Sequence, residues 1–489
     1  MRKSGILLHP TSLPGEWGIG DLGGSAYRFV DFLVESGQHL WQILPLGPPG
    51  CGHSPYQAFS SMAGNSLLIN LRALVEQNLL TPGDLQEKPG FPDNLVDFEA
   101  VIPFKHRLIK KAAAAFFQQD AHPLRAEFLD FHARMRSWLD LYAEFASLKA
   151  ANQGTAWTEW IQKTGAQAAD VLEHQFIQFE FFRQWKFLKK YCNERGIEII
   201  GDLPIFIAHD SADVWANPEL FDLDDAGNPS TIAGVPPDYF SETGQCWGNP
   251  LYRWEVMART GYRWWIDRIR FMLEMVDIIR IDHFRGFEKY YEIPGGAKTA
   301  EVGRWVSGPG DRFFEVLQQA LGTVRFIAED LGYITPEVHD LRDRWGFPGM
   351  RVLQFAFGDQ SLENPHKPHN FIRNCIVYTG THDNETTAGW FHQRTGEPAR
   401  SEIDMALRYM GRNKSDAVWD LIRLALSSVA DIAILPMQDV LGLGTEARMN
   451  IPSTVENNWR WRMSENQLNA ELAGKLREMN ILYGRPRTF

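Results

Sequence analysis

Eight short apolar runs, each ending in polar or charged residues, recur along the chain and limit what it can fold into. They are GILL (5–8), HLWQILPL (39–46), IEIIGDLPIF (197–206), VDIIRIDHF (276–284), VRFIAED (324–330), MRVLQFAF (350–357), NCIVYTGTHD (374–383) and DIAILPMQD (431–439). Continuous apolar runs of this length suit strands buried on both faces of a parallel sheet. Between them, apolar residues recur at helical spacing in 173–196, which closes on Gly196 as a C-cap, and in 261–275, 311–322 and 416–428. Eight such alternations in 489 residues predict an α/β fold closed into a (β/α)8 TIM barrel, with a doubly wound open sheet as the alternative. The barrel is expected to span 1–489 as one catalytic unit carrying two insertions. Residues 72–170 are charged and helical in pattern and read as a helical insertion subdomain between the second and third strands. Residues 208–256 hold no clear helix but many Pro, Gly, Asp and aromatic residues, and read as a loop-rich insertion over the active site. About fifty residues follow the last run, enough for closing helices but not for a separate C-terminal β-domain.

The charge balance narrows the function. Net charge is −12 and no block of five Lys/Arg occurs, so the basic footprint of a nucleic-acid binder is missing. Cys51, Cys192, Cys246 and Cys375 are scattered without a CxxC, which predicts no disulfide framework and fits a reducing cytosol. The N-terminal apolar patch is too short for a signal peptide, and no run is long enough to span a membrane. A cytoplasmic protein is expected. The 17 Trp and 31 Phe serve a large core, and flat rings also suit stacking on sugar faces.

In a barrel the chemistry lies at the C-terminal ends of the strands. Three predicted strands end there in carboxylates: Asp282 in RIDHFRG, Glu329–Asp330 in FIAEDLG and Asp383 in GTHDN. Side chains alternate along a strand, so Arg280 shares a face with Asp282 and supplies a cation to keep it ionised. A structural ion pair explains one such pairing equally well, but not three carboxylates at three strand ends. Crowded carboxylates raise the pKa of one member, which gives a general acid beside an ionised partner, as glycoside chemistry requires. Whether Glu329 or Asp330 points inward stays open at this level.

RIDHFRGF, AEDLG, GTHDN, GVPPDYFSETGQCWGNPLY (234–252), SPYQ (54–57) and GDLPIFIAHDSADVW (201–215) resemble the 4-α-glucanotransferase or amylomaltase family, glycoside hydrolase family 77 of the α-amylase clan. The resemblance runs from HPTSLPG near residue 10 to MNIPST near residue 450. It implies Asp282 as nucleophile, Glu329 rather than Asp330 as acid/base, and Asp383 as stabiliser of the distorted sugar, with His382 beside it. It further implies that Arg280 holds Asp282, that Asp202 lies near the sugar at the cleavage point, and that Tyr56 stacks on that sugar. The segment Gly234–Tyr252 resembles the family's lid over the acceptor side, presenting Asp238, Tyr239, Phe240, Gln245 and Trp247. Cys246 inside it stands where the family varies. Asp359 and Asn450 match further substrate contacts.

The activity implied is disproportionation: a segment of an α-1,4-glucan passes through a covalent glucosyl-enzyme to a 4-hydroxyl of glucose or another glucan, intramolecular transfer giving cyclic products. The alternatives are an α-amylase-type hydrolase and a non-catalytic glucan-binding protein. No cofactor or metal is expected. GIGDLG (18–23) matches a dinucleotide fingerprint, but prolines separate it from the preceding strand and Asp21 would repel a phosphate. HKPH (366–369) lacks a third ligand for zinc.

Overall fold

A computed structural model describes residues 2–237, 242–359, 361–393, 396–411 and 416–487. The eight apolar runs form the eight strands of a closed parallel barrel. In chain order these are β1 (Lys3–Leu7), β2 (Leu40–Gln42), β3 (Glu198–Pro204), β4 (Ile278–Asp282), β5 (Phe326–Ala328), β6 (Gly349–Val352), β7 (Cys375–Tyr378) and β8 (Ile432–Pro436). Each pairs with its sequence neighbours, and β8 closes on β1 with Lys3 opposite Ile432. Closure removes both sheet edges, so only loops at the two ends are left to carry function. Where β1 crosses β2, a Cβ on Gly5 would lie 2.5 Å from the Leu40 Cβ, so only glycine permits that approach.

Helices Gly24–Glu35, Ala168–Glu194, Arg263–Met275, Gly310–Leu321, Pro336–Arg344, Ala417–Ser427 and Ala470–Leu482 flank the strands. Trp41, Trp185 and Trp265 are almost wholly buried within one core. The β6–β7 connection breaks the alternation: its described residues hold only 3-10 turns, at Leu353–Phe355 and Pro368–Asn370. Pro365 and Pro368 explain this, since a proline inside a helix removes a hydrogen bond and clashes with the preceding turn. No described helix is long and apolar enough to cross a membrane.

Between β2 and β3 run two further long helices, Phe98–Gln118 and Arg125–Ala151. Over 208–256 the structure holds more regular structure than the sequence pattern announces. It has short helices at Ala212–Ala216 and Trp254–Arg259 and strands at Thr231–Val235 and Gln245–Pro250. Those strands join Lys289–Pro294 and Arg304–Ser307, from the β4–β5 connection, in one four-stranded antiparallel sheet. The strand QCWGNP lacks apolar alternation, so its pairing comes from its neighbours rather than from its own pattern.

Candidate active site

Register decides which carboxylates meet. Asp202 on β3 pairs with Arg280 on β4, and Ile281 pairs with Ala328 on β5, so Asp282 and Glu329 are the next neighbours along the same two strands. Adjacent strands lie about 4.8 Å apart, so the two carboxylates leave neighbouring strands toward the same side. Alternation also separates Glu329 from Asp330. Asp330 is buried on the opposite side, ion-paired with Arg342 and accepting the Met350 amide at 2.6 Å. The approach is so close that a Cβ on Gly349 would sit 2.4 Å from Asp330 Oδ2.

Arg280 is 4% exposed and organises the floor of the cleft. Its Nη1 donates to Asp202 Oδ1 at 2.7 Å, to Asp202 Oδ2 at 2.6 Å and to Asp282 Oδ1 at 3.0 Å. The Tyr56 hydroxyl donates to Asp202 Oδ2 at 2.8 Å. Arg280 draws the Asp282 carboxyl down, as expected, but it does not act alone. One nitrogen is shared by two carboxylates, and burial, aided by Asp202, Glu329 and Asp383, outweighs its pull and pushes the Asp282 carboxyl up. Burial pushes Glu329 up as well, against Arg280 and two backbone amides. Those amides are His283 N–H, 2.7 Å from Oε2, and Leu331 N–H, 2.9 Å from Oε1. His283 takes the left-handed conformation (φ 51°), unusual for a residue with a side chain, so the chain turns sharply just after the amide that meets Glu329. The raised pair titrates as a unit, holding a proton above the ordinary carboxylate range.

On the β7 side Asp383 Oδ1 accepts from Asn450 Nδ2 at 2.6 Å and lies 3.4 Å from His382 Nε2. Burial lowers the His382 pKa and favours the neutral ring, which stacks on Tyr56 at 5.2 Å and 14°. Trp459, which the pattern reading missed, stands 5.9 Å from both rings. Arg448 was missed too; it donates to the Asp383 carbonyl at 2.9 Å. Both lie beyond β8 in polar, turn-rich sequence, and no periodicity there tells which residues fold back over the barrel.

Trp247 packs edge-on against His283 at 4.8 Å, and its Nε1 donates to Gln245 Oε1 at 3.1 Å. Gln57 Nε2 reaches Asn249 Oδ1 at 3.3 Å, so the SPYQ loop and the strand Gln245–Pro250 meet beside the cleft. Asp359 is exposed and accepts the Ser361 amide at 3.1 Å; none of its hydrogen bonds joins the carboxylate cluster. Asp238, Tyr239 and Phe240 lie outside the described residues.

Removing the shared cation tests this floor. Arg280→Met leaves the Asp202 side chain buried without its counter-charge and is expected to cost about 3–5 kcal/mol, read by denaturant unfolding. Pairing it with Asp202→Asn should recover much of that stability. A single variant as stable as wild type would refute the charge-shared floor.

The comparisons agree across the chain. A family model described as 4-alpha-glucanotransferase, glycoside hydrolase family 77, matches residues 8–468. The 4-alpha-glucanotransferase of Synechocystis sp. is 49% identical over 99% of this chain and 98% of its own length. That of Thermus thermophilus is 48% identical over 98% of each. The solved amylomaltase from Streptococcus agalactiae in complex with acarbose superposes with a TM-score of 0.94 at 39% identity, covering 100% of both chains.

Proposed function

The chain belongs to the 4-α-glucanotransferase family, glycoside hydrolase family 77, and we propose how its residues divide the work of moving an α-1,4-glucan segment from one molecule to another. The observation that carries this division is the register of β4 on β5, which makes Asp282 and Glu329 neighbours at the mouth of the barrel.

Asp282 attacks the anomeric carbon. Its Oδ1 is tied to Arg280, while Oδ2 carries no hydrogen bond among the described residues and is the attacking atom. Glu329 gives its proton to the departing glycosidic oxygen, leaving a glucosyl ester on Asp282 with inverted configuration. Glu329, now without the proton, takes one from the 4-hydroxyl of the incoming sugar. That oxygen displaces Asp282 and inverts the centre again, so the α-linkage is retained. Asp383, fixed by Asn450, receives sugar hydroxyls as positive charge develops on the ring. Tyr56, held through its hydroxyl by Asp202 and backed by His382, offers its ring to the same sugar.

Transfer in place of hydrolysis requires that the ester outlast the exchange of leaving chain for acceptor. The junction of the SPYQ loop with the Gln245–Pro250 strand supports this by narrowing the approach of water. We take glucose and maltooligosaccharides as acceptors and, from the scattered free cysteines, the cytoplasm as the site of action. The relatives give the hydrolase alternative no support.

Incubation with maltotriose tests the reading. Glucose together with dextrins longer than the starting sugar is the expected product pattern, resolved by chromatography. Steady decay to shorter sugars with nothing longer formed would overturn it.

A further inference from the structure

The connections that follow β4 and β5 bring together a pair of aromatic rings that the reaction as described leaves unused. Tyr333 is 66% exposed, and Trp305 is partly buried on the outer strand of the four-stranded sheet. The Arg285 guanidinium lies over Trp305 at 3.7 Å and 5.7 Å from the Tyr333 ring, and the ring centroids are 6.3 Å apart at 26°. In a triangle of those sides, with the cation above Trp305, Tyr333 sits beside Trp305 rather than beneath it. The two rings therefore form a shallow step backed on one side by a single guanidinium. Arg285 is itself 3% exposed and donates to the Tyr333 backbone carbonyl, which ties that loop to the guanidinium.

Its position relates it to the chemistry. Arg285 is three residues past Asp282, and Tyr333 is four past Glu329. Four residues reach at most about 14 Å, which bounds the distance from Glu329 to Tyr333 along the backbone. Tyr333 stands on the loop that carries Glu329, the group that meets both the departing oxygen and the entering hydroxyl. A sugar bound there belongs to the leaving or entering chain, beyond the ring at the cleavage point.

Resting on the transferase reading above, we propose that Trp305 and Tyr333, braced by Arg285, form an outer acceptor subsite that stacks a glucose of an incoming maltooligosaccharide and favours long acceptors over glucose. Stacking needs an amphipathic ring open to solvent, and Tyr333 is 66% exposed.

The test follows transfer from amylose to end-labelled glucose or labelled maltopentaose. Tyr333→Ala, an exposed change that spares the fold, is expected to raise KM for maltopentaose about three- to tenfold, the scale of one lost aromatic face. The kcat, and both constants for glucose, stay near wild type. Tyr333→Trp should restore the maltopentaose KM, which a purely structural tyrosine would not predict. Equal losses with both acceptors, or no change with either, would overturn the subsite while leaving the transferase intact. Failure of the unaltered enzyme to label any dextrin would refute the transferase reading, and this inference with it.

Discussion

Asp282→Asn is expected to lower maltotriose turnover by at least about 10⁴-fold, with glucan affinity measured by calorimetry held within a few-fold of wild type. The amide keeps the shape and the Arg280 contact at Oδ1 but cannot form the ester through which the segment is carried. Stability separates this loss from unfolding. Because the folded state raises the Asp282 carboxyl, what the group contributes at low pH is lost as pH rises through its folded pKa. The uncharged variant should therefore be as stable as wild type at neutral pH, or more so. Retained turnover in Asp282→Asn would remove the covalent mechanism outright. A lowered melting temperature would assign the loss to the fold instead.

The acid/base makes a second large effect, and it depends on the donor. Glu329→Gln should cost about 10²- to 10⁴-fold on maltotriose, whose leaving oxygen needs a proton. It should cost far less on the first step with α-glucosyl fluoride, read as kcat/KM for fluoride release, because fluoride departs without one, while the second step stays slow for want of the base. The pH profile carries the same information. In the wild type, activity falls on the alkaline side when the raised Asp282–Glu329 pair gives up its shared proton, above the ordinary carboxylate range. On maltotriose that alkaline limb should vanish from the residual activity of Glu329→Gln, because an amide does not titrate. Equal losses on both donors, or an unmoved alkaline limb, would take the acid role away from Glu329.

Much of this arrangement was legible in the sequence, for physical reasons. A parallel strand buried on both faces has little choice but to be apolar throughout, so all eight barrel strands declared themselves. Carboxylates closing such runs stood out because a charge at the end of a buried strand needs a partner or a task. Parity put Arg280 and Asp282 on one face but left Glu329 and Asp330 undecided. Only the registers of β4 on β5 and β5 on β6 separate them, turning one into the cleft and the other onto Arg342. Sequence proximity gave the Arg280–Asp282 pair, but not the whole of its surroundings. It could not reveal that Asp202, 78 residues away in the chain, draws on the same nitrogen. Trp459 and Arg448 stayed hidden because loops that return over a barrel carry no period, and the cleft residues they meet, Tyr56 and Asp383, are more than fifty positions distant. The strand Gln245–Pro250 was invisible for a related reason, since its partner ladder makes it a strand and its composition does not.

The four-stranded sheet over the cleft has a consequence for anyone wishing to change product length by grafting. Two of its strands come from the loop after β3 and two from the loop after β4, and Thr231–Val235 pairs across that divide with Lys289–Pro294. Moving residues 231–250 alone from a relative would set a foreign strand against a resident one, with mismatched side chains beside His283 and Glu329. The transplantable module is the pair of loops together, and a recombination library with crossovers outside both should yield active chimeras where one cutting between them does not.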